Sequence, residues 1–445
     1  MGRPGRRFTP VKKKVAFYTL GCKVNFCETE ALKALFEKAG YSVTAFAQRA
    51  DVYVINTCTV TSISDHKSRK MIRRARRLNP DAIVVAAGCY AQGFPKALEE
   101  MGAVDLVIGT RGREELPQLV ESLQRDRPLV MVEPYREQSP FEMLPPVKQR
   151  GRTRGFLKIQ EGCNDRCAYC IIPTVRGPVR SMPLAEVLLR ARTLLRQGCK
   201  EIVLTGIHLG LYGADLEGVT LAGLLKELEQ LPGLARIRLS SLEPADITGE
   251  LVECLAASTV ICPHLHIALQ SGDGEILQRM NRSYTPEEYL YLVNWLRQEI
   301  PGIAVSTDVI VGFPGETEGH HRRSMQFVRR LQFSRLHVFQ YSSRPGTPAA
   351  SLPGQVSQAE KSRRSREMIA LGKEMADNYM RRFLGSSAEV LIEKVEPGQY
   401  GEGFTPHYLR VRVALNNKGR RWKGKLIRAR LERIESEIIW GTPEA

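Results

Sequence analysis

No apolar run in this sequence approaches 18 residues, so no segment is a candidate for a membrane-spanning helix. The basic opening MGRPGRRFTPVKKK is not followed by an apolar stretch, so it does not read as a secretory signal, and Arg6 stands where a myristoylation pattern wants Ser or Thr. It reads as a disordered basic arm. Cysteine is scarce: ten in 445 residues, far too few for a disulfide scaffold. Acidic residues are outnumbered, 48 against 65 Lys and Arg, giving a net charge of +17 and a pI near 9.5. That shortage of negative charge points to a polyanionic partner, nucleic acid before membrane. A cytoplasmic, reducing location is expected, with no membrane partner.

The few cysteines are grouped. Gly162-Cys163-Asn164-Asp165-Arg166-Cys167-Ala168-Tyr169-Cys170 spaces three of them as C-x3-C-x2-C. Three thiolates hold three irons of a [4Fe–4S] cube and leave the fourth iron open to chelate a small molecule and pass it an electron. That is the pattern of a radical enzyme using S-adenosylmethionine. The alternative, structural zinc, wants four protein ligands and more often two C-x2-C pairs. A second group is made by topology. Cys22, Cys58 and Cys89 each follow a predicted strand, in YTLGC, VINTC and VAAGC. The carboxyl ends of parallel strands share one sheet edge, where ligands bind, so these thiols are expected to converge on a second cluster. The alternative is three buried cysteines that fell there separately. Cys27 reads as a structural thiol, and Cys199, Cys254 and Cys262, without partners at ligand spacing, as core or near-surface thiols.

The fold expected is α/β in three parts. Residues 12–143 alternate strands (14–20, 51–57, 82–88, 104–109) with helices (25–39, 62–78, 112–124), which predicts a parallel sheet. A Pro-, Gly- and charge-rich linker spans 134–153. Residues 151–383 repeat the alternation in six units, a partial β/α barrel closed by a long charged helix near 357–383. Residues 386–441 hold strand-like runs broken by Gly and Pro, a small antiparallel barrel.

The chain closely resembles the methylthiotransferase family of radical S-adenosylmethionine enzymes over nearly its whole length. The resemblance rests on TLGCKVNFCETE (19–30), NTCTVT (56–61), GCYAQ (88–92), QEGCNDRCAYCIIPTVRGPVRS (160–181), LTGIHLGLYG (204–213), SSLEP (240–244), HLHIALQSG (264–272), RMNRSYT (279–285), TDVIVGFPGET (307–317) and FQYSSRPGTPAA (339–350). It implies an N-terminal domain with an auxiliary [4Fe–4S] cluster on Cys22, Cys58 and Cys89. It further implies a central radical barrel with a cluster on Cys163, Cys167 and Cys170, and a C-terminal TRAM domain that holds substrate. The resemblance also implies that two S-adenosylmethionine molecules are consumed per turnover, one to methylate a sulfur on the auxiliary cluster and the other to generate the radical that attacks the substrate carbon. An electron donor such as flavodoxin or ferredoxin and a sulfur source are implied partners, and a monomer is expected. The opening TLGCKVN-x2-ETE resembles the branch that methylthiolates C2 of N6-threonylcarbamoyladenosine at tRNA position 37. Other branches act on N6-isopentenyladenosine at the same position or on an aspartate of a small-subunit ribosomal protein. The sequence departs from the pattern at Cys27, where an aromatic is more usual.

Around the radical triad, Tyr169 is expected near the adenine of the cofactor, or as a loop aromatic covering the cluster. Gly206 ends a barrel strand, where backbone groups meet a ligand at the C-terminal face. Glu243 is read as a cofactor-binding acid, or as a helix N-terminal acid. His266 and Gln270 share a partly polar strand face, which favours the active site over a satisfied core histidine. Asp308 lies within a strand, where a buried acid needs a partner.

From Lys67 to Arg77 there are seven basic residues (Lys67, Arg69, Lys70, Arg73, Arg74, Arg76, Arg77) and no acidic one, which reads as a phosphate-binding surface; the alternative is a solubilising face. Arg421 and Trp422 in GRRWKGK add a basic patch, with Trp422 either stacking on a base or packing in the barrel. Basic charge in all three parts favours tRNA over a protein substrate. The rival from another class is a nonenzymatic RNA-binding iron–sulfur protein.

Overall fold

The computed structural model describes residues 12–124, 127–137, 139–146, 152–396, 398–414 and 422–444. Arg421 lies outside the described residues. The chain forms two compact units, Met1–Tyr135 with Glu142–Lys148, and Arg136–Phe141 with Gln149–Ala445.

The first unit is a six-stranded, all-parallel sheet. Its strands are β1 (Lys14–Thr19), β2 (Ser42–Thr44), β3 (Val52–Thr57), β4 (Ile83–Gly88), β5 (Leu106–Ile108) and β6 (Leu129–Met131), in the order β2-β1-β3-β4-β5-β6. β3 is buried at every position, as expected of a central parallel strand covered on both faces. Helices α1 (Lys23–Lys38), α2 (Ser62–Leu78), α3 (Cys89–Gly93), α4 (Pro95–Glu99) and α5 (Leu116–Glu121) cover the faces. Thr61 caps α2 by accepting from the Ser64 amide, and Asp65 sits in its first turn. Strands β2 and β6 were not expected from the sequence. Each has three residues, too few for a readable alternation.

The second unit contains the partial barrel. Its strands are β7 (Arg154–Lys158), β8 (Gln160–Glu161), β9 (Arg180–Ser181), β10 (Glu201–Thr205), β11 (Arg236–Leu239), β12 (Ser241–Leu242), β13 (His264–Ile267), β14 (Ala304–Val311) and β15 (Arg335–Gln340). Two parallel sheets, β11-β10-β7 and β12-β13-β14-β15, follow one another around the barrel, because β11 runs on into β12 after Ser240. Helices α6 (Ile172–Arg176), α7 (Leu184–Arg196), α8 (Leu221–Glu229), α9 (Gly249–Ala257), α10 (Gly274–Arg279), α11 (Pro286–Glu299), α12 (Glu318–Leu331) and α13 (Gln358–Arg381) complete it. One large core takes outward strand residues (Leu265, Ile267, Val305, Val309) together with helix residues such as Val293 and Val328.

The C-terminal barrel is closed, in the order β16 (Ser387–Glu396), β17 (Tyr400–Phe404), β18 (Arg410–Ala414), β20 (Ile438–Pro443), β19 (Leu426–Glu435). Three strand-like runs were legible; β17 and β20 were not. In β17 the sequence GEGF reads as a breaker, yet a Cβ at Gly403 would lie 1.9 Å from the Leu391 carbonyl, so close strand approach requires glycine there. The barrel packs under the N-terminal ends of β7, β10 and β11. Buried Glu201 faces Arg238 at 2.8 Å, while Arg238 donates to the Thr405 and Pro406 carbonyls and Arg236 to those of Phe404 and Glu389. Every charge in this seam has a partner of opposite sign or a carbonyl, the condition for burying ions without large loss.

Candidate functional site

In the first unit, strand register brings the three cysteines to one edge. Thr19 pairs with Asn56, and Thr57 with Gly88, so Cys22, Cys58 and Cys89 all follow aligned strand ends. Asn25, in the first turn of α1, holds them together. Its Oδ1 lies 3.9 Å from Cys22 Sγ and 4.0 Å from Cys89 Sγ, and its Nδ2 donates to the Leu20 (2.8 Å) and Thr57 (3.0 Å) carbonyls. A Cβ at Gly21 would stand 3.0 Å from Cys58 Sγ, and Gly21 has φ +98°, so glycine alone lets the Cys22 turn close on Cys58. Cys58 and Cys89 are buried; Cys22 is exposed. The rest of the opening motif braces this turn. Asn56 Nδ2 donates to the Asn25 carbonyl (2.9 Å) and to Thr29 Oγ1 (3.1 Å), and buried Glu28 pairs with Arg113 at 2.9 Å. Cys27 lies buried on α1.

In the second unit, Cys163, Cys167 and Cys170 occupy the loop between β8 and α6. Buried Glu161 anchors the loop's base through Arg176 (2.6 Å), Lys158 (3.1 Å) and Arg180 (3.6 Å). A Cβ at Gly162 would lie 1.8 Å from the Pro178 carbonyl, and the Cys163 amide donates to Gly177. Two cations reach the sulfurs. Arg282 Nη1 lies 3.1 Å from Cys167 Sγ, and the same guanidinium bonds Glu243 and the Tyr284 hydroxyl. His208 Nδ1 lies 3.5 Å from Cys163 Sγ, with Asp246 at 3.0 Å on its other nitrogen. Burial works against charging His208, but hydrogen bonds to Asp165, Asp246 and Cys163 outweigh it and raise its pKa to about 11. The hydrogen bond from His208 in turn holds the Asp165 carboxyl below its ordinary value. Burial pushes the Cys170 thiol up to about 12 and the Tyr169 hydroxyl well above its usual range. Tyr169 packs against a small core that includes Ala168, Met280 and Phe313.

The structure divides the residues proposed to bind cofactor. Glu243 joins the cysteine loop through Arg282, as N-cap of the short turn Pro244–Asp246. His266 and Asp308 form a separate network: His266 Nε2 faces Asp308 at 3.2 Å, its Nδ1 faces Ser306 Oγ at 3.1 Å, and His337 lies alongside with ring centroids 5.6 Å apart. Gln270, at φ +63°, bridges to Val309 through its backbone. Gly206 is packed on Gln160, whose Oε1 a Cβ would approach to 2.7 Å. Sequence reasoning assigned no role to His208, Arg282 or Asn25, although all three lie in quoted motifs; nothing local in those motifs marks which thiol each would meet.

Two features test whether a polar cofactor fits beside the cysteine loop. Thr205 and Ser240 end the adjacent strands β10 and β11, both buried, and neither hydroxyl has a hydrogen-bond partner among the described residues. Buried hydroxyls without partners are costly, so a ligand carrying hydroxyl, amino or carboxylate groups answers them. The donor sets fit as well, each triad offering three thiols, the number that leaves one iron of a cube open.

On α2, Lys67, Lys70, Arg73, Arg74 and Arg77 are exposed. Arg69 and Arg76 are not part of that surface. Arg69 donates to the Tyr90 hydroxyl at 2.8 Å, and Arg76 holds Asp105 at 2.6 Å and the Pro80 and Ala82 carbonyls. They share the inward face with Asp65, Ser68, Ile72 and Ala75. Trp422 is half-buried against the core of the C-terminal barrel, the packing alternative of its two readings.

Residues 14–109 match the family described as Uncharacterized protein family UPF0004, and residues 157–328 match the Radical SAM superfamily. The chain is 45% identical over 403 residues to the threonylcarbamoyladenosine tRNA methylthiotransferase MtaB of Bacillus subtilis, covering 89% of each chain. It is 35% identical over 441 residues to the tRNA-2-methylthio-N(6)-dimethylallyladenosine synthase of Moorella thermoacetica, covering 97% of this chain and 98% of that protein. Among solved structures it is similar to the radical S-adenosylmethionine methyltransferase TsrM of Kitasatospora setae, with TM-score 0.56, 21% identity, and coverage of 76% of this chain and 77% of that one.

Proposed function

The chain belongs to the tRNA methylthiotransferase family of radical S-adenosylmethionine enzymes, and we propose that it converts the C2–H of N6-threonylcarbamoyladenosine at position 37 of tRNA into C2–S–CH3. The observation that carries this reading is the pair of cysteine triads, one following three parallel strand ends in the first unit and one in the loop between β8 and α6 in the second. The branch rests on the 45% identical relative, against 35% for the dimethylallyladenosine enzyme.

When bound, two [4Fe–4S] clusters and S-adenosylmethionine supply the electron, the methyl group and the hydrogen abstraction that an unactivated aromatic carbon requires. Cys22, Cys58 and Cys89 hold one cluster and Cys163, Cys167 and Cys170 the other. Arg282 keeps positive charge against the Cys167 sulfur and fixes the Glu243 carboxylate beside it. Thr205 and Ser240 offer hydroxyls to the polar groups of the cofactor, and Tyr169 walls the loop. The exposed cations of α2 take the tRNA backbone, with an electron donor of the flavodoxin or ferredoxin kind and a sulfur source as further partners. No helix among the described residues is long and apolar enough to cross a membrane. A cytoplasmic location is part of the proposal and rests on the tRNA named in the relatives' activity.

Nucleoside mass spectrometry of tRNA from cells lacking the gene tests the reading. Loss of 2-methylthio-N6-threonylcarbamoyladenosine with 2-methylthio-N6-isopentenyladenosine unchanged is expected. The reverse pattern would move the chain to the isopentenyl branch, and unchanged tRNA would point to a ribosomal-protein substrate.

A further inference from the structure

The sequence left open where the polar group on N6 of the target adenosine is held. Over residues 264–267, 305–309 and 335–338, strands β13, β14 and β15 turn apolar side chains to one face and polar ones to the other, Thr307 excepted. Leu265, Ile267, Val305, Val309, Leu336 and Val338 face the helices and belong to or pack on the main core. The opposite, inward face carries His264, His266, Ser306, Asp308, Arg335 and His337, so three adjacent strands present a polar block to the barrel interior. β15 is the last strand of its sheet, so the block reaches the open edge of the barrel.

Within the block each group is oriented. His264 Nε2 lies 3.3 Å from Ser306 Oγ, Ser306 lies 3.1 Å from His266 Nδ1, and His266 Nε2 lies 3.2 Å from Asp308 Oδ1. That relay fixes the Asp308 carboxylate while leaving it partly exposed, at 29%. Asp308 pairs in register with His337, and Ser306 with Arg335. Arg335 is exposed and has no hydrogen bond or ion pair among the described residues. Arg335 and His337 also line a pocket of about 520 Å³ between β15 and the C-terminal barrel, together with Lys394, Tyr408 and Arg410. Arg410 is committed to Glu402, whereas Lys394 has no partner among the described residues. The pocket thus holds two uncommitted cations and His337, the register partner of the oriented acceptor Asp308 on the neighbouring strand.

The level of this block matters. Ile310, one inward step above Asp308, and Tyr169 of the cysteine loop pack against the same small core, which includes Ala168 and Phe313. The polar block therefore lies about 7 Å further from the loop along the strand. In an adenine ring C2 and C6 flank N1, so a ring that offers C2 towards the cysteine loop turns its N6 substituent away from it, towards this block.

Resting on the proposed methylthiolation of adenosine at C2, we infer that this inward block is the specificity site for the N6 substituent. Arg335, with Lys394, binds the threonyl carboxylate, Asp308 accepts from the side-chain hydroxyl or a ureido N–H, and His266 positions Asp308. An isopentenyl group would leave both cations and the free oxygen of Asp308 unanswered, which disfavours it strongly.

The test uses the full, anaerobically reconstituted enzyme and three anticodon stem-loops, bearing threonylcarbamoyladenosine, isopentenyladenosine or plain adenosine at the target position. Wild type is expected to bind the first about 10- to 100-fold tighter than the third, the range of a charge-assisted contact. Arg335→Met and Asp308→Asn should each bring that ratio close to one without weakening the plain stem-loop, and Arg335→Lys should restore part of it. An undiminished ratio in both variants overturns the inference. A wild type that prefers the isopentenyl stem-loop would instead overturn the proposed branch, a failure distinguishable because it precedes any substitution. The ligand atoms of His266, Asp308 and His337 lie within 4.8 Å of one another, so Co(II) titration is the second arm. A stoichiometric Co(II) site lost in Asp308→Asn would make the group a metal centre and also overturn the inference.

Discussion

The two cysteine triads solve the same problem in different ways. The radical triad lies in eight consecutive residues, Cys163 to Cys170, and is surrounded by charge: Arg282 on Cys167, and His208 on Cys163 with Asp165 and Asp246 behind it. The N-terminal triad is drawn from three strand ends and has a neutral amide, Asn25, at its centre. Positive charge beside sulfur favours thiolate and eases the arrival of an electron, which suits a cluster that must be reduced. A partly buried setting with an amide between the sulfurs and one exposed cysteine suits a cluster that carries a sulfur group to a substrate. The lesson is that ligand count alone does not separate the two tasks; the groups touching the sulfurs do.

The sharpest way to break this comparison is to neutralise the charged side. Arg282→Met should lower S-adenosylmethionine cleavage by about 100-fold, the upper range for losing a partner that orients a metal ligand, while the N-terminal cluster keeps its iron. Anaerobic 5′-deoxyadenosine assay with iron analysis checks both; cleavage at the wild-type rate would remove charge as the distinguishing feature. On the neutral side, Asn25→Ala strands two backbone carbonyls and opens the Cys22 turn. Methylthiolation should fall by about 10-fold or more with cleavage retained, because the loss is confined to one triad. Equal loss of both activities would show that the triads are not independent.

A milder effect separates the tRNA surface from either cluster. Arg73→Glu with Arg74→Glu should weaken tRNA binding and lower the salt slope by about one unit per lost phosphate contact, at unchanged iron content. Binding titrations over several salt concentrations decide it, and an unchanged slope would make α2 a solvated face. The smallest effect contrasts two histidines. Where carboxylates raise His208, burial together with Arg238, Arg236 and Arg382 lowers His407 to about 4. A folded pKa below the unfolded value means that the unfolded chain binds the extra proton first. His407 therefore costs stability as pH falls from about 6.5 through about 4, on the order of 2 kcal/mol over that window. Urea unfolding at pH 5 and pH 7 should show a smaller acid loss in His407→Gln than in wild type.

Much of the scaffold was legible because its signals are local. Helices α2, α11 and α12 begin at Thr61, Thr285 and Thr317, each a side chain accepting from the third amide along, and their apolar period is clear. The same period could have placed Arg69 and Arg76 on the inward face of α2, where a count of charges alone set them on its surface. The convergence of Cys22, Cys58 and Cys89 was legible from strand order, since a parallel sheet leaves few other outcomes. What stayed hidden depends on distance along the chain. Arg282 meets Cys167 across 115 residues and His208 meets Cys163 across 45, and neither contact has a local mark. The polar block on β13–β15 was half visible, as the alternation of His266 and Gln270, but its partners Arg335 and His337 come from another strand.

The account's central claim is that the triads divide the chemistry, and one measurement tests it most directly. In a Cys22→Ala, Cys58→Ala, Cys89→Ala enzyme, iron should fall from about eight to about four per chain. Anaerobic reaction with tRNA should then still form 5′-deoxyadenosine but no methylthiolated adenosine. Normal methylthiolation by that variant would contradict the account.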